Sequence, residues 1–239
     1  MTVDIFVPCF IDQIFPETAF NMVKVLERLD VTVNYNPEQT CCGQMAFNSG
    51  FWDESKSIGA KFIKDFSNDR YVVAPSASCV GMVKNYYPEL FHNTALHIEY
   101  KQLQKNIYEF SDFLVNVLNA RNIGAELNAI ITYHDACAAL REYGLKDQPR
   151  ILLQNVKGLE LREMAENEVC CGFGGTFSVK HEAISTAMAQ QKVQNALDTG
   201  AEYIVSTEAS CLMHLDAYIK RNKLAIKIMH LADVLASGW

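Results

Sequence analysis

The sequence predicts an α/β protein made of two pseudo-symmetric halves, each a mostly parallel sheet with helices. Short apolar runs alternate with segments whose apolar residues recur at helical spacing. The order of these runs repeats along the 239 residues. In addition, every cysteine follows the end of a predicted strand. Because ligands collect at the carboxyl ends of parallel strands, we expect cysteines that are distant in sequence to meet there.

The first predicted half covers residues 1–98 and contains three strands that alternate with helices. A proline shortly after each strand ends it. The predicted strands are 3–7, 31–35 and 70–74, and the predicted helices are 18–29 and 53–66.

The second predicted half covers residues 128–239 and repeats this order. Its longest helix stops at Gly200, the residue type that commonly caps helix C-termini. The predicted strands are 129–133, 159–161, 203–206 and a tail strand at 225–229, and the predicted helices are 148–154, 181–198 and 231–235.

Residues 99–127 are predicted to connect the halves, with one long helix over 99–118. Its apolar residues lie on one side, which predicts packing against the core. They are Leu103, Ile107, Phe110, Leu114 and Val117.

Composition excludes several classes of protein. The net charge of −7 argues against nucleic acid as a partner, because no basic stripe is available to neutralise phosphates. No run approaches 18 apolar residues, and the first residues do not read as a secretory signal. We therefore expect a cytoplasmic protein without a membrane span. In a reducing compartment its cysteines should be thiols or metal thiolates, not disulfides.

The cysteines form two copies of one pattern, C-x31-CCG-x35-C and C-x32-CCG-x38-C, and none is left over. A repeated constellation of this kind predicts two metal centres with four thiolates each, since chance burial of apolar cysteines does not explain a repeat. The predicted ligands are Cys9, Cys41, Cys42, Cys79, Cys137, Cys170, Cys171 and Cys211.

The glycine after each cysteine pair has a predicted role. Adjacent side chains on an extended strand point to opposite faces, so a Cys-Cys pair shares one centre only in a sharp turn. Gly43 and Gly172 allow positive φ there, and they let a bulky inorganic core approach the backbone. A helix that begins after each glycine would direct N–H groups at the thiolates.

Thiolate-rich sites bind zinc or iron–sulfur clusters. Structural zinc sites usually have short C-x2-4-C spacings, and none occurs here. Widely separated ligands favour iron–sulfur clusters, which four cysteine thiolates commonly hold. Zinc in one half stays open as an alternative.

The pattern resembles the CCG, or cysteine-rich, domain family, and within it the lactate-utilisation branch, over essentially the whole chain. The segments that carry the resemblance are CCGQ at 41–44, PSASC at 75–79, TYHDAC at 132–137, CCGFGGTFSVK at 170–180 and MHLA at 229–232. The resemblance implies an iron–sulfur oxidoreductase subunit that takes part with two other subunits in oxidising L-lactate to pyruvate. It also implies up to two clusters held by the eight cysteines.

One departure from the family matters. In its heterodisulfide reductase branch each motif closes with two cysteines three apart, and five thiolates hold a non-cubane cluster. Here Ser76 and Glu208 occupy the earlier positions, so an ordinary four-thiolate 4Fe-4S cluster is expected. Whether either residue supplies an oxygen ligand is open. The alternative functions are a subunit of a glycolate oxidase or heterodisulfide reductase-like complex, and a zinc-bound scaffold without redox function.

Two further residues are candidates for catalysis. His134 could donate a proton or a hydrogen bond to the second centre, or could only fix its loop. Lys180 ends a glycine-rich segment, 172–180, that could bind the carboxylate of a small 2-hydroxy acid. The same glycines could instead let the chain pass close to a cluster. No dinucleotide fingerprint occurs, so any flavin or nicotinamide is expected on another subunit. No role is assigned to His92, His97, His214 or His230.

Overall fold

The computed structural model describes all 239 residues and contains two four-stranded sheets in which every pairing is parallel. The first sheet has the order β2-β1-β3-β4 and the second β6-β5-β7-β8. The strands are β1 (Thr2–Ile5), β2 (Thr32–Tyr35), β3 (Tyr71–Ala74), β4 (Ile107–Glu109), β5 (Glu126–Tyr133), β6 (Lys157–Leu161), β7 (Tyr203–Ser206) and β8 (Lys227–His230). The strand order is thus the same in both halves, and the predicted α/β repeat is confirmed.

Helices follow the strands and pack on the sheets. They are α1 (Cys9–Ile14), α2 (Pro16–Arg28), α3 (Gln44–Asn48), α4 (Trp52–Asp65), α5 (Ala77–Gly81), α6 (Tyr87–Phe91), α7 (His97–Asn106), α8 (Phe110–Asp112), α9 (Asp147–Leu153), α10 (Phe177–Lys180), α11 (Glu182–Leu197), α12 (Ala209–Arg221) and α13 (Leu231–Leu235). Short π-helical segments occupy Met82–Tyr86, Phe113–Val117 and Ala138–Tyr143. No helix is both long enough and apolar enough to cross a membrane.

The predicted helix over 99–118 is wrong. Helix α7 ends at Asn106, and β4 follows and pairs in parallel with β3. The apolar spacing in this segment coincides with a helical period. However, Ile107 and Glu109 are buried and Tyr108 between them is half-buried, which is the alternation of a strand. Tertiary pairing with the open edge of β3 therefore overrides the local pattern. The division into 1–98, 99–127 and 128–239 stays a prediction.

The two halves share one hydrophobic core. Its largest cluster joins Val3 and Met22 of the first half to Ile131 and Leu231 of the second, all fully buried. Polar contacts reinforce this junction, since Asp233 accepts hydrogen bonds from the side chains of Thr18 (3.0 Å) and Asn21 (2.9 Å). The core fixes the halves so that the carboxyl ends of both sheets border the same cavity.

Candidate metal centres

A single cavity of about 250 Å³ brings the eight cysteines together. Four come from each half and lie in the loops or first helical turns that follow the strands. At its edge the ring of Phe10 meets that of Phe173 edge-on, with centroids 5.6 Å apart, so each half supplies one aromatic side chain there. All eight thiols are free. The predicted convergence of distant cysteines is therefore observed in the structure.

In the first half, the thiol groups form a chain of neighbours from Cys9 through Cys41 and Cys42 to Cys79. Hydrogen bonds from the thiols of Cys42 and Cys9 lower the pKa of Cys41 well below the usual thiol value. The same contacts, together with burial, raise the pKa of Cys9 and Cys42. One thiolate is therefore favoured before any metal binds, because neighbouring S–H groups stabilise its charge.

The second half repeats this arrangement. The sulfur atoms of Cys137 and Cys170 are 3.9 Å apart, and hydrogen bonds from Cys137 and Cys171 lower the pKa of Cys170. The Cys171 thiol also lowers the pKa of Cys211, against the effect of burial, and nearby His134 acts in the same direction. The second half thus favours two thiolates, which are the ligand form that metals require.

The backbone at both Cys-Cys-Gly turns has the predicted left-handed conformation. Gly43 has φ of +86° and Gly172 of +95°. In each turn the glycine N–H donates to the sulfur of the first cysteine over 3.4 Å. Serine hydroxyls fix the turns from behind, since Ser55 donates to the Gly43 carbonyl (3.0 Å) and Ser185 to the Gly172 carbonyl (2.8 Å). These turns place both members of each pair at one centre.

The prediction of a helix after each turn is correct only in the first half. Helix α3 begins at Gln44, directly after its glycine. In the second half the next helix does not begin until Phe177. Gly174 and Gly175 have positive φ values of +51° and +60°, which interrupt right-handed helical geometry. Only backbone at Gly172 itself donates to Cys170 there.

Comparison with known proteins agrees with this repeat, because residues 3–84 and 131–216 each match the cysteine-rich domain, CCG. The chain belongs to the CCG family. Relatives within the family cover nearly the whole chain. Lactate utilization protein A of Oceanobacillus iheyensis is 40% identical, over 98% of this chain and 96% of that protein. The protein of the same name from Geobacillus kaustophilus is 41% identical, over 98% of both chains.

The fold of this CCG protein also resembles a solved structure, that of a hypothetical protein from Helicobacter pylori. The TM-score is 0.64 at 11% sequence identity, and the match covers 100% of this chain and 49% of that one. At this identity the likeness concerns the fold alone.

Ser76 and Glu208 bond to each other across the halves. Glu208 accepts from the Ser76 hydroxyl (3.2 Å), the Ser78 hydroxyl (2.9 Å) and the Ser78 N–H (2.6 Å). Burial, together with the nearby Cys211 thiolate, raises the pKa of Glu208 to about 8. All three residues line the cavity between the centres. A role of Ser76 or Glu208 as an oxygen ligand stays a prediction, and their observed contacts tie the two centres together.

His134 lies at the second centre, as predicted. Its ring is fully buried, and neither ring nitrogen has a hydrogen-bond partner. A ring nitrogen and the sulfur atoms of Cys171 and Cys211 all lie within 4.8 Å of one another. This trio is able to bind a metal ion, so His134 is a candidate ligand as well as a candidate proton donor.

Lys180 is exposed and does not line the cavity. Its predicted catalytic role stays a prediction, and no side chain of the shared cavity comes from this position.

The sequence correctly placed Cys137 and His134 in the loop after the first strand of the second half. In contrast, sequence reasoning missed Ser55, Ser185 and Tyr87, whose hydroxyl donates to the Cys42 carbonyl over 2.9 Å. Aligning the two halves beyond the cysteines would have drawn attention to the paired serines.

Proposed function

We propose that this chain is the iron–sulfur subunit of a lactate-utilisation complex, and that it carries electrons during the oxidation of L-lactate to pyruvate. The observation that carries the proposal is the convergence of eight free thiols from two repeats on one cavity. The relatives named lactate utilization protein A, which match nearly end to end, support the choice of pathway.

The residues fit a four-thiolate cluster in each half. Cys9, Cys41, Cys42 and Cys79 would hold one, and Cys137, Cys170, Cys171 and Cys211 the other. The glycine N–H groups donate to cysteine sulfur, as expected around iron–sulfur clusters. A positive-φ glycine without a Cβ leaves room for an inorganic core at each turn. A bound 4Fe-4S cluster would supply one-electron redox chemistry.

The charges around the cavity favour electron transfer over direct oxidation of lactate on this chain. The residues that line it include no Lys, Arg or His. Its negative charge comes from the thiolates, because burial keeps Glu208 protonated up to a pKa of about 8. A carboxylate substrate would meet these thiolates without a cation to pair with, which is unfavourable in a partly buried site. The 2-hydroxy acid is therefore assigned to a partner subunit, in a cytoplasmic complex with two other lactate-utilisation proteins.

Zinc in the second half is a second candidate, favoured by the trio of His134, Cys171 and Cys211. Mixed imidazole and thiolate ligands within this distance suit a tetrahedral zinc ion, and Cys170, which accepts a hydrogen bond from the Cys171 thiol, is available as a fourth ligand. Such a site would stabilise the fold and would not take part in electron transfer.

Metal and sulfide analysis after anaerobic purification separates these candidates. We expect about eight iron atoms and about eight acid-labile sulfides per chain if both halves hold a 4Fe-4S cluster. Two zinc ions per chain without sulfide would refute the redox assignment. Zinc with a single cluster would limit that assignment to one half.

Deletion of the gene tests the substrate. Growth of the host on L-lactate should fail, and growth on a carbon source that is not a 2-hydroxy acid should be unchanged. Normal growth on lactate would refute the proposed pathway. Glycolate as the carbon source distinguishes the glycolate oxidase alternative.

A further inference from the structure

Two buried positions behind the cysteines hold apolar residues in the first half and basic residues in the second. The first pair is defined by sheet register, because Phe6 N–H donates to the Val73 carbonyl (3.0 Å) and His134 N–H to the Val205 carbonyl (2.8 Å). In each half this bond extends the pairing of the first strand with the third. Phe6 and His134 therefore occupy equivalent positions.

The second pair is defined by the helix behind each Cys-Cys-Gly turn. Ser55 in α4 and Ser185 in α11 donate to the equivalent glycine carbonyls. Seven residues later, on the same helices, lie Phe62 and Lys192. Two turns of helix separate each from its serine, so Phe62 and Lys192 are also equivalent.

In the first half these positions form an apolar backing. The rings of Phe6 and Phe62 meet edge-on with centroids 4.7 Å apart, and both side chains are fully buried. Phe6 also lines the cavity. The first centre consequently has aromatic carbon behind it.

In the second half the same positions hold two basic residues. Lys192 is only 2% exposed, and its ammonium donates to the carbonyls of Glu166 and Asn167, just before Cys170. Asn167 in turn accepts from the Asp135 N–H beside His134. These contacts place the Lys192 charge on the loop that carries the cysteine pair.

No buried carboxylate neutralises this ammonium. Asp135 is nearby, but Arg150 already forms a two-pronged salt bridge with it (2.9 and 2.7 Å). Glu166 is exposed, and Lys192 contacts its backbone carbonyl. Burial lowers the pKa of Lys192, whereas Cys171 and then Glu166 and Asp135 raise it. The ammonium therefore interacts with the second centre through Cys171, one of its predicted ligands.

A fixed positive charge alters how readily a centre accepts an electron. Reduction adds one negative charge to a centre, and a cation in a low-dielectric surrounding stabilises that charge. Charge, hydrogen bonding and burial around a cluster set its reduction potential in proteins generally. Aromatic carbon provides no such stabilisation in the first half.

We infer that Lys192 makes the second centre the higher-potential one, so that an electron shared by the two centres resides mainly at the second. The transfer oxidises the first centre by one electron and reduces the second by one, without bond formation. The electrons originate from the 2-hydroxy acid, which releases two electrons and two protons as it becomes a 2-keto acid. The inference rests on the proposed function.

Redox titration of Lys192 variants tests this inference. Lys192→Gln removes the charge and keeps an N–H donor for the loop carbonyls, while Lys192→Arg keeps the charge. With Gln we expect the ratio of reduced to oxidised second centre at a given potential to fall at least tenfold. For one electron this corresponds to a midpoint potential lower by about 59 mV. With Arg the midpoint should stay near that of the unchanged protein. Variants that lack one centre, Cys42→Ser and Cys171→Ser, assign each signal to its half.

Phe62→Leu is the matched control in the first half, and it should shift neither midpoint. Equal midpoints for Lys192→Gln and the unchanged protein, with iron in both halves, would overturn the inference and leave the proposed function standing. An equal drop with Gln and Arg would also overturn it, because charge would not be the cause. Absence of iron and sulfide would overturn the inference and the redox function together.

Discussion

The two halves have the same strand order and the same Cys-Cys-Gly turns, yet their buried surroundings differ in residue type. Three equivalent positions differ in this way, and the third follows from sheet register at the ends of β4 and β8. The pairs are Phe6 and His134, Phe62 and Lys192, and Glu109 and His230. The comparison teaches that backbone geometry determines where the thiolates lie, while the side chains behind them determine how each centre behaves.

The strongest way to test the independence of the halves is to remove one ligand from each. Cys171→Ser should abolish the spectroscopic signal of the second centre and about half of the bound iron, because one of four thiolates is lost. Cys42→Ser should do the same to the first centre. Electron paramagnetic resonance with iron analysis measures both. Loss of both signals from either single variant would mean that the halves do not bind metal independently.

The glycine turns should respond unequally to alanine. At Gly172 a Cβ would lie 2.6 Å from the Ser185 carbonyl oxygen, whereas at Gly43 the nearest backbone oxygen, of Ser55, is 3.1 Å away. Positive φ costs alanine about 1–3 kcal/mol at either site, and overpacking adds about 1–3 kcal/mol where the clash is severe.

Gly172→Ala should therefore lower the free energy of unfolding by about 2–6 kcal/mol, more than Gly43→Ala does. Denaturant unfolding of the metal-free protein under reducing conditions measures this difference. Gly50→Ala serves as a control, because φ there is +85° and no atom lies within 4 Å of the added Cβ. Equal losses at Gly172 and Gly50 would contradict the steric part of the argument.

Glu109 and His230 should give the protein opposite pH dependences. Burial raises the pKa of Glu109 from 4.5 to about 7. Between these values the folded protein holds a proton that the unfolded chain has released, so the free energy of unfolding falls as pH rises. The decrease attributable to Glu109 is at most about 3 kcal/mol, at 1.36 kcal/mol per pH unit. Burial lowers the pKa of His230 below 6.5, so just below this pH the unfolded chain binds a proton that the folded protein does not. The free energy of unfolding therefore rises as pH increases towards 6.5 and falls as pH decreases.

Glu109→Gln should flatten the decrease between pH 4.5 and about 7. His230→Asn should instead reduce the loss of stability on the acid side. Thermal unfolding of the metal-free variants across this pH range provides the measurement. Unchanged slopes in Glu109→Gln would show that this carboxyl does not govern the decrease in stability between pH 4.5 and about 7.

Much of the fold was predictable because the strands are short and apolar, and because a proline follows each predicted strand of the first half. The strand 203–206 and the helix 231–235 have the observed bounds, and all eight cysteines converge as expected. The fourth strand of the first sheet was not predicted, since β4 has only three residues and its apolar spacing imitates a helix. The repeat itself held the missing signal, because the predicted tail strand, observed as β8, required an equivalent in the first half.

The environment of the centres was less predictable than their ligands. A lysine in a helix ordinarily faces solvent, so the residue type argues against the burial of Lys192. Its burial follows from two loop carbonyls that only the folded chain presents. Lys180 is the opposite case. The glycine-rich segment 172–180 suggested that its ammonium binds an anion near the centre, but the side chain is exposed.

The continuous apolar core that joins Val3 and Met22 to Ile131 and Leu231 makes the stability of each repeat depend on the other. Neither repeat expressed by itself would bury this shared face, and the whole chain should melt in one cooperative transition. Metal held by one repeat consequently protects the other against denaturation through mass action, even though no ligand is shared. The two repeats therefore form a single thermodynamic unit that contains two different centres.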